Sequence, residues 1–234
     1  MIEDTFLPKL MNKSSHIQFE NWGTIDYQES LTKQLERVES ISQNPDTSFI
    51  IFCKHPEIVT LGRSTKPGDV FAWDGETIEV SRGGRATYHG PSQLVIYPLL
   101  SLKTKRTAIP TQDVVAFLRV LENSIIEFLA LYHLSAVGKS LQHDLLEEKE
   151  QTGVWINNQK IASLGIAVKK WVTYHGAAIN IYKDIHAYRG MNPCGFNRSI
   201  MTSLEEQTNL PLSEEKILNE LKTIFLKNFK NQTD

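Results

Sequence analysis

Ser81-Arg82-Gly83-Gly84-Arg85-Ala86-Thr87-Tyr88-His89-Gly90-Pro91-Ser92-Gln93 is the stretch on which the fold and the chemistry of this chain turn. Thr77-Ile78-Glu79-Val80 precedes it and Leu94-Val95-Ile96-Tyr97-Pro98-Leu99-Leu100 follows it, and both read as strands. A Gly-Gly pair at a strand end lets the backbone turn sharply and lets another group come close, because no Cβ intervenes. Arg82 and Arg85 set fixed positive charge beside that opening. Taken alone, the stretch reads equally well as a polar hairpin turn. Two later segments, residues 153–176 and Asn192-Pro193-Cys194-Gly195, make it one wall of an active site instead.

The totals limit what the protein can be. With 234 residues, 41% of them hydrophobic, the chain can build a full core as one large domain or two small ones. A formal charge of −2 gives no case for a nucleic-acid surface. No apolar run approaches the ~20 residues of a membrane span. The acidic start, Met1-Ile2-Glu3-Asp4-Thr5, has no apolar segment of the kind a secretory signal carries. Cys53 and Cys194 do not make a disulfide framework, and a reducing, cytoplasmic location is expected.

In chain order, residues 1–15 carry no period and are expected to form a flexible tail. Tyr27, Leu31, Leu35 and Val38 recur at helical spacing within residues 26–41. Residues 48–53 form a continuous apolar run, read as a buried strand in which Cys53 is a small buried hydrophobe. Pro110-Thr111-Gln112-Asp113 caps a long amphipathic helix over 112–132, and Ser213 caps a last one reaching Phe229. Residues 134–137 read as a short strand and 143–151 as an exposed acidic loop. Residues 153–156, 160–169 and 171–181 read as strands, the first two joined by a turn at Asn157-Asn158. Strands in groups with three helices between them predict an α+β fold: a mixed, largely antiparallel sheet flanked by helices.

The chemistry is narrowed by what is missing. The chain has no G-x-x-x-x-G-K-[ST] loop, G-x-G-x-x-G, H-E-x-x-H, C-x-x-C or G-x-S-x-G. His89, His143, His175 and His186 are scattered without ligand spacing, so no metal site is expected. Cys194, between Pro193 and Gly195, is the candidate nucleophile; an ordinary, partly exposed loop cysteine is the competing reading. A free thiol is only a few per cent thiolate at neutral pH and needs a base or a cation beside it. Lys160, opening an apolar strand after a tight turn, is the candidate base, against the commoner reading of a solvated hairpin end.

At this point the residues match a known family. The chain resembles the octanoyl-[acyl-carrier-protein]:protein N-octanoyltransferases of lipoate biosynthesis, within the biotin and lipoate protein ligase superfamily. The match rests on four blocks: residues 55–63, residues 82–91, residues 153–165 with Lys160 and Ser163-Leu164-Gly165, and Asn192-Pro193-Cys194-Gly195; Tyr174 to Asn180 fits as well. The resemblance implies a fold similar to the ligases' catalytic domain, here over residues 16–234 as a single domain. It implies a catalytic dyad of Cys194 and Lys160. It also implies an acyl tunnel lined by Arg82, Gly83, Gly84, Arg85, Ala86, Thr87, Tyr88 and His89, by Ser163, Leu164 and Gly165, and by Gly176, Ala177 and Ala178.

The implied donor is octanoyl-acyl-carrier-protein. The implied acceptor is a lysine on a lipoyl domain of a 2-oxoacid dehydrogenase complex or on glycine-cleavage H protein. No cofactor is implied, because activation arrives in the thioester. An ATP-dependent lipoate or biotin ligase and a non-catalytic acyl-binding relative are the alternatives. Backbone N–H groups near Cys194 and in the Gly83-Gly84 turn are expected to hold the oxyanion. Ser92, where the family usually has glycine, is expected to alter the tunnel mouth. Lys103, Lys105 and Arg106, or Lys169 and Lys170, are expected to form a basic docking face for an acidic carrier.

Overall fold

A computed structural model describes residues 16–140 and 151–232. The expected tail (1–15) and most of the expected acidic loop (143–151) lie outside the described residues. The long apolar run becomes β2 of a mixed sheet. That sheet is formed by β1 (His16–Thr24), β2 (Thr47–Lys54), β6 (Gln93–Leu100), β10 (Val172–Asn180), β9 (Gln159–Lys169), β8 (Gly153–Ile156) and β7 (Ala136–Gly138), in that spatial order. Only the β1–β2 pair is parallel; every other pair in this sheet is antiparallel.

Helices cover both faces, which is why β2, β6 and β10 are buried along nearly their whole length instead of alternating with polar residues. On one face, Ile50, Phe52, Ile96 and Ile161 pack under α2 (Val114–Ala130) and α4 (Glu214–Asn228). On the other, Phe49, Ile51, Val95, Tyr97 and Tyr174 pack under α1 (Tyr27–Gln43). The caps are local: Asp26 accepts the Glu29 N–H at 2.9 Å, and Asp113 accepts that of Ala116 at 2.8 Å. Ser213 faces the Lys216 N–H at 3.5 Å. A short α3 (Leu204–Gln207) completes the helices.

Three details differ from the sequence expectation. The buried stripe of α1 runs through Tyr27, Ser30, Gln34, Val38 and Ile41, while Leu31 and Leu35 lie only partly buried at its flank. The stripe is rotated because Gln34 is needed inside, where its side-chain oxygen accepts the His175 N–H at 2.8 Å. Second, β1 went unrecognised: it is a half-exposed edge strand whose main apolar contact is Phe19 stacked on Phe52 at 6.4 Å. Third, the strands flanking the glycine-rich stretch are not hairpin partners. β4 (Glu76–Glu79) belongs to a second, three-stranded sheet with β3 (Ile58–Leu61) and β5 (Thr87–His89), in the order β4-β3-β5. The stretch therefore crosses from a small sheet to the large one, and its loop lies over the large sheet's face.

Phe225 ties α4 to that sheet, stacked on Phe229 at 5.2 Å and edge-on to Phe52 at 6.4 Å, with no exposed surface. Phe225→Ala is expected to lower the unfolding free energy by about 3–5 kcal/mol, measured by urea denaturation; a change within experimental error would show that α4 does not support the core.

Candidate active site

Small residues on three neighbouring strands leave a hollow on the α1 side of the large sheet. In register, Ser163 on β9 pairs with Ala178 on β10, which pairs with Val95 on β6; one step away, Gly165 pairs with Gly176. A Cβ at Gly176 would fall on the Ile96 carbonyl, and one at Gly165 would press on the Gly83 oxygen at 3.0 Å and Arg82 Cδ at 3.1 Å. Gly165 lets the overlying loop settle close against the strands, and Gly176 lets β10 lie close against β6. The resulting cleft spans about 450 Å³ of space between atoms, part of it open to solvent.

Residues 81–89 form its roof. Arg82 curls the loop by donating to the carbonyls of Gly83 (3.1 Å), Arg85 (2.9 Å) and Thr60 (2.8 Å) and to Thr60 Oγ1 (2.7 Å). The Gly83 N–H is fixed to the Ile166 carbonyl of β9 at 3.0 Å. β5 then alternates, as a strand must: Thr87 and His89 face the cavity, while Tyr88 turns away into a separate cluster with Tyr188 and Met191.

Cys194 stands at the cavity wall in a single 3-10 turn, Pro193–Gly195, with left-handed backbone (φ 54°, ψ 24°). That conformation is unfavourable for a side-chain-bearing residue and needs support. The Cys194 N–H bonds the Ala86 carbonyl at 3.0 Å, that of Gly195 bonds Asn192 O at 2.9 Å, and that of Asn192 bonds Asp69 O at 2.7 Å. Asp69, itself buried, pairs with the Arg85 guanidinium, accepting from Nε at 2.9 Å and also from Nη2. Gly195 has positive φ, and a Cβ there would collide with that guanidinium. The Arg85–Asp69 pair thus braces the cysteine turn from both sides.

Lys160 reaches Cys194 from the opposite direction. Its Nζ lies 3.4 Å from Cys194 Sγ, and the residue has no exposed surface. Trp155 packs beside both, its ring 5.7 Å from Lys160 Nζ and 5.5 Å from the Phe196 ring. Gly153 makes room for the lysine, because a Cβ there would sit 2.5 Å from Lys160 Cε and against the Ala162 carbonyl.

Of the residues expected to line a tunnel, Arg82, Gly84, Arg85, Thr87 and His89 do line this cavity. So do Ser163, Leu164 and Gly165 from β9, and Gly176, Ala177 and Ala178 from β10. Gly83, Ala86 and Tyr88 do not: Gly83 bonds to β9 through its backbone, Ala86 supplies the carbonyl under Cys194, and Tyr88 faces the other way. Tyr27, Val95, Tyr97 and His175 line it too and were not foreseen. Of the expected oxyanion donors, the N–H groups of Cys194, Gly195, Phe196 and Gly83 bond protein carbonyls.

Ser92 lies away from this cavity, in a surface hollow with Tyr182, where its hydroxyl bonds Asp184 at 3.1 Å. Arg106 leaves the expected docking face: it is buried, donates to Ser48 Oγ at 2.9 Å, and burial brings its pKa down to about 10. Lys170 is paired with Glu39 at 2.8 Å. Among the described residues no group of three or more His, Cys, Asp or Glu is placed to hold a metal ion, and no helix is long and apolar enough to cross a membrane.

Two buried histidines, His89 and His175, line the cavity with Tyr27 and Tyr97, and a third, His55, packs against His89 and Tyr97. Tyr27 stacks on His89 at 5.5 Å, and its hydroxyl meets His175 Nδ1 at 3.4 Å. His55 Nδ1 donates to the Ile25 carbonyl at 2.8 Å, so its Nε2 accepts from the Tyr97 hydroxyl at 2.8 Å. Burial is the main cause that keeps these rings neutral: it lowers the pKa of His55, lowers that of His89 well below the ordinary value, and takes His175 down to about 3, with Arg82 adding to the last two.

What fold and site define together is a mixed sheet, covered by helices, whose face holds a largely apolar slot with a buried cysteine–lysine contact at its edge. Residues 26–229 match the model of the lipoyl protein ligase A/B catalytic domain, and the chain belongs to that family. The octanoyltransferase of Bdellovibrio bacteriovorus is 44% identical over 207 residues, covering 87% of this chain and 94% of that protein. The octanoyltransferase of Caldicellulosiruptor bescii is 34% identical over 215 residues, covering 88% and 89%. Among solved structures, a putative lipoate protein ligase from T. acidophilum with bound lipoic acid superposes with a TM-score of 0.67 at 16% identity, over 90% of this chain and 84% of that one. At that identity the likeness speaks for the fold alone.

An unfolded chain with ordinary histidines binds protons below about pH 6.5 that the folded protein refuses. Stability is therefore expected to fall as pH drops below 6.5, with His175 contributing about 1.4 kcal/mol per pH unit down to about pH 3 and His55 and His89 acting in the same direction. Urea midpoints at pH 7.5 and 5 measure this, and His175→Gln is expected to show a shallower dependence than the unaltered protein. Equal slopes in the two proteins would show that His175 is protonated in the folded state.

Proposed function

We propose that this chain is an octanoyltransferase that works through a Cys194 thioester, with residues 16–234 acting as one catalytic domain. The observation that carries the reading is the 3.4 Å approach of Lys160 Nζ to Cys194 Sγ at the edge of a slot floored by small residues. Adenylate-forming ligases of this fold activate the acyl group with a nucleotide and have no need of such a pair. The curated relatives, with their high coverage, are named for octanoyl transfer.

In the first half-reaction Sγ attacks the carbonyl carbon of an octanoyl thioester on acyl-carrier-protein as Lys160 takes the thiol proton. The tetrahedral intermediate collapses by breaking the bond to the carrier sulfur, which leaves with that proton. In the second, the ε-amine of a lipoyl-domain lysine attacks the Cys194 thioester. Lys160 receives the amine proton, the C–S bond breaks, and Sγ regains the proton as the amide forms. The thioester-to-amide conversion is downhill, so the scheme needs no nucleotide. The eight-carbon chain lies along the floor of Gly165, Gly176 and Ala178, with Tyr27 and Tyr97 among the walls.

The test is transfer from octanoyl-loaded carrier protein to a purified lipoyl domain without ATP. The unaltered protein is expected to octanoylate the acceptor, and Cys194→Ser and Lys160→Met to lose at least about 10³-fold in rate with thermal stability retained. Acceptor modification only when ATP and free octanoate are supplied would replace this reading with the ligase. Octanoate binding without transfer under either condition would leave an acyl-binding protein.

A further inference from the structure

Two hydroxyls in the wall of the acyl slot have no partner in the protein. Ser163 Oγ and Thr87 Oγ1 are both shielded from solvent, both lack a hydrogen bond, and both residues line the cavity that Cys194 lines. His89 Nδ1, also without a partner, lines the same cavity. A buried hydroxyl left without a partner costs about 1–3 kcal/mol, so the two hydroxyls call for a ligand atom that satisfies both.

Their positions place that atom. Thr87 directly follows Ala86, whose carbonyl holds the Cys194 N–H at 3.0 Å. Ser163 pairs across the sheet with Gly153, the residue whose missing Cβ admits Lys160 Cε. One hydroxyl is thus tied to the cysteine side of the dyad and the other to the lysine side. An octanoyl tail offers no hydrogen-bond acceptor anywhere along its length. The only oxygen of the acyl thioester is its carbonyl, which lies next to Sγ during attack and becomes an oxyanion in the tetrahedral intermediate. The N–H groups of Cys194, Gly195, Phe196 and Gly83 already bond the carbonyls of Ala86, Asn192, Pro193 and Ile166.

We propose that Ser163 Oγ and Thr87 Oγ1 form a side-chain oxyanion hole, each donating its hydroxyl proton to the acyl carbonyl oxygen as Cys194 attacks. The assignment rests on the acyl-enzyme reading above. The hydroxyls lose no proton: they stabilise charge as it develops and release the oxygen when the thioester re-forms. The same pair serves both half-reactions, because each passes through an oxyanion on the same carbon.

The experiment is single-turnover acylation by octanoyl-loaded carrier protein, read by rapid quench and intact mass, on the unaltered protein, Ser163→Ala, Thr87→Val and the hydroxyl-retaining Ser163→Thr and Thr87→Ser. Ser163→Ala and Thr87→Val are each expected to slow acyl-enzyme formation by about 10²-fold, with the hydroxyl-retaining pair within about tenfold of the unaltered protein. Iodoacetamide alkylation of Cys194, which forms no oxyanion, is the control and is expected to be unchanged in all five. Acylation within threefold of normal in both Ser163→Ala and Thr87→Val overturns the proposal, as does a parallel loss of alkylation, which would mark a merely structural role. If the unaltered protein itself forms no adduct, the acyl-enzyme reading fails first, and this assignment falls with it.

Discussion

The contact between Lys160 and Cys194 joins two segments 34 residues apart, and much of the local architecture exists to allow it. An amine and a thiol buried together have no stable arrangement unless each is held from its own side. The lysine is held by β9 and by the gap that Gly153 leaves above it; the cysteine is held by a strained turn that the Ala86 carbonyl and the Arg85–Asp69 pair keep closed. The roof loop thus does two things at once. It covers the slot with Gly84 and Thr87, and it supplies Ala86 and Arg85 as the brace for the Cys194 turn.

The slot itself is the product of absence. Gly165, Gly176 and Ala178 withhold side chains from a sheet face that α1 would otherwise fill, and the loop descends into the space. Desolvation there acts on every titratable neighbour: the three histidines are held neutral, and the Cys53 thiol is pushed well up because it is buried in the core strand. Cys53 and Cys194 are both buried, yet only Cys194 has an amine beside its sulfur and lines the slot. Neutral imidazoles and tyrosines give a wall of low charge, which suits a hydrocarbon chain.

The sequence was legible wherever local chemistry announces geometry. Pro193 and Gly195 around a cysteine, paired glycines at Gly83 and Gly84, and the Asn157-Asn158 turn before Lys160 each constrain the backbone within a few residues. What stayed hidden depends on distant packing. Tyr27, Val95, Tyr97 and His175 sit in ordinary helix and strand positions, and nothing nearby says that their face borders a cavity. Asp69 lies in an irregular loop and acquires its role only when Arg85 folds onto it. Gln34 lies outside the apolar spacing of Tyr27, Leu31, Leu35 and Val38, yet it is buried as the acceptor of the His175 N–H. Tyr88 and Ala86 illustrate a different gap: a motif was read as a block, whereas the short β5 strand sends alternate side chains to opposite sides. Period-two alternation, applied to Thr87-Tyr88-His89, was the signal available.

The claim on which the rest depends is that Cys194 carries the acyl group. Incubating the protein with octanoyl-loaded carrier protein in the absence of acceptor, then weighing it intact, addresses this directly. The predicted result is a mass gain of one octanoyl group, removed by hydroxylamine, mapped to the peptide containing Cys194 and absent from Cys194→Ser. An unmodified protein that nevertheless transfers octanoate to a lipoyl domain would contradict the covalent mechanism and leave direct transfer between the two carriers in its place.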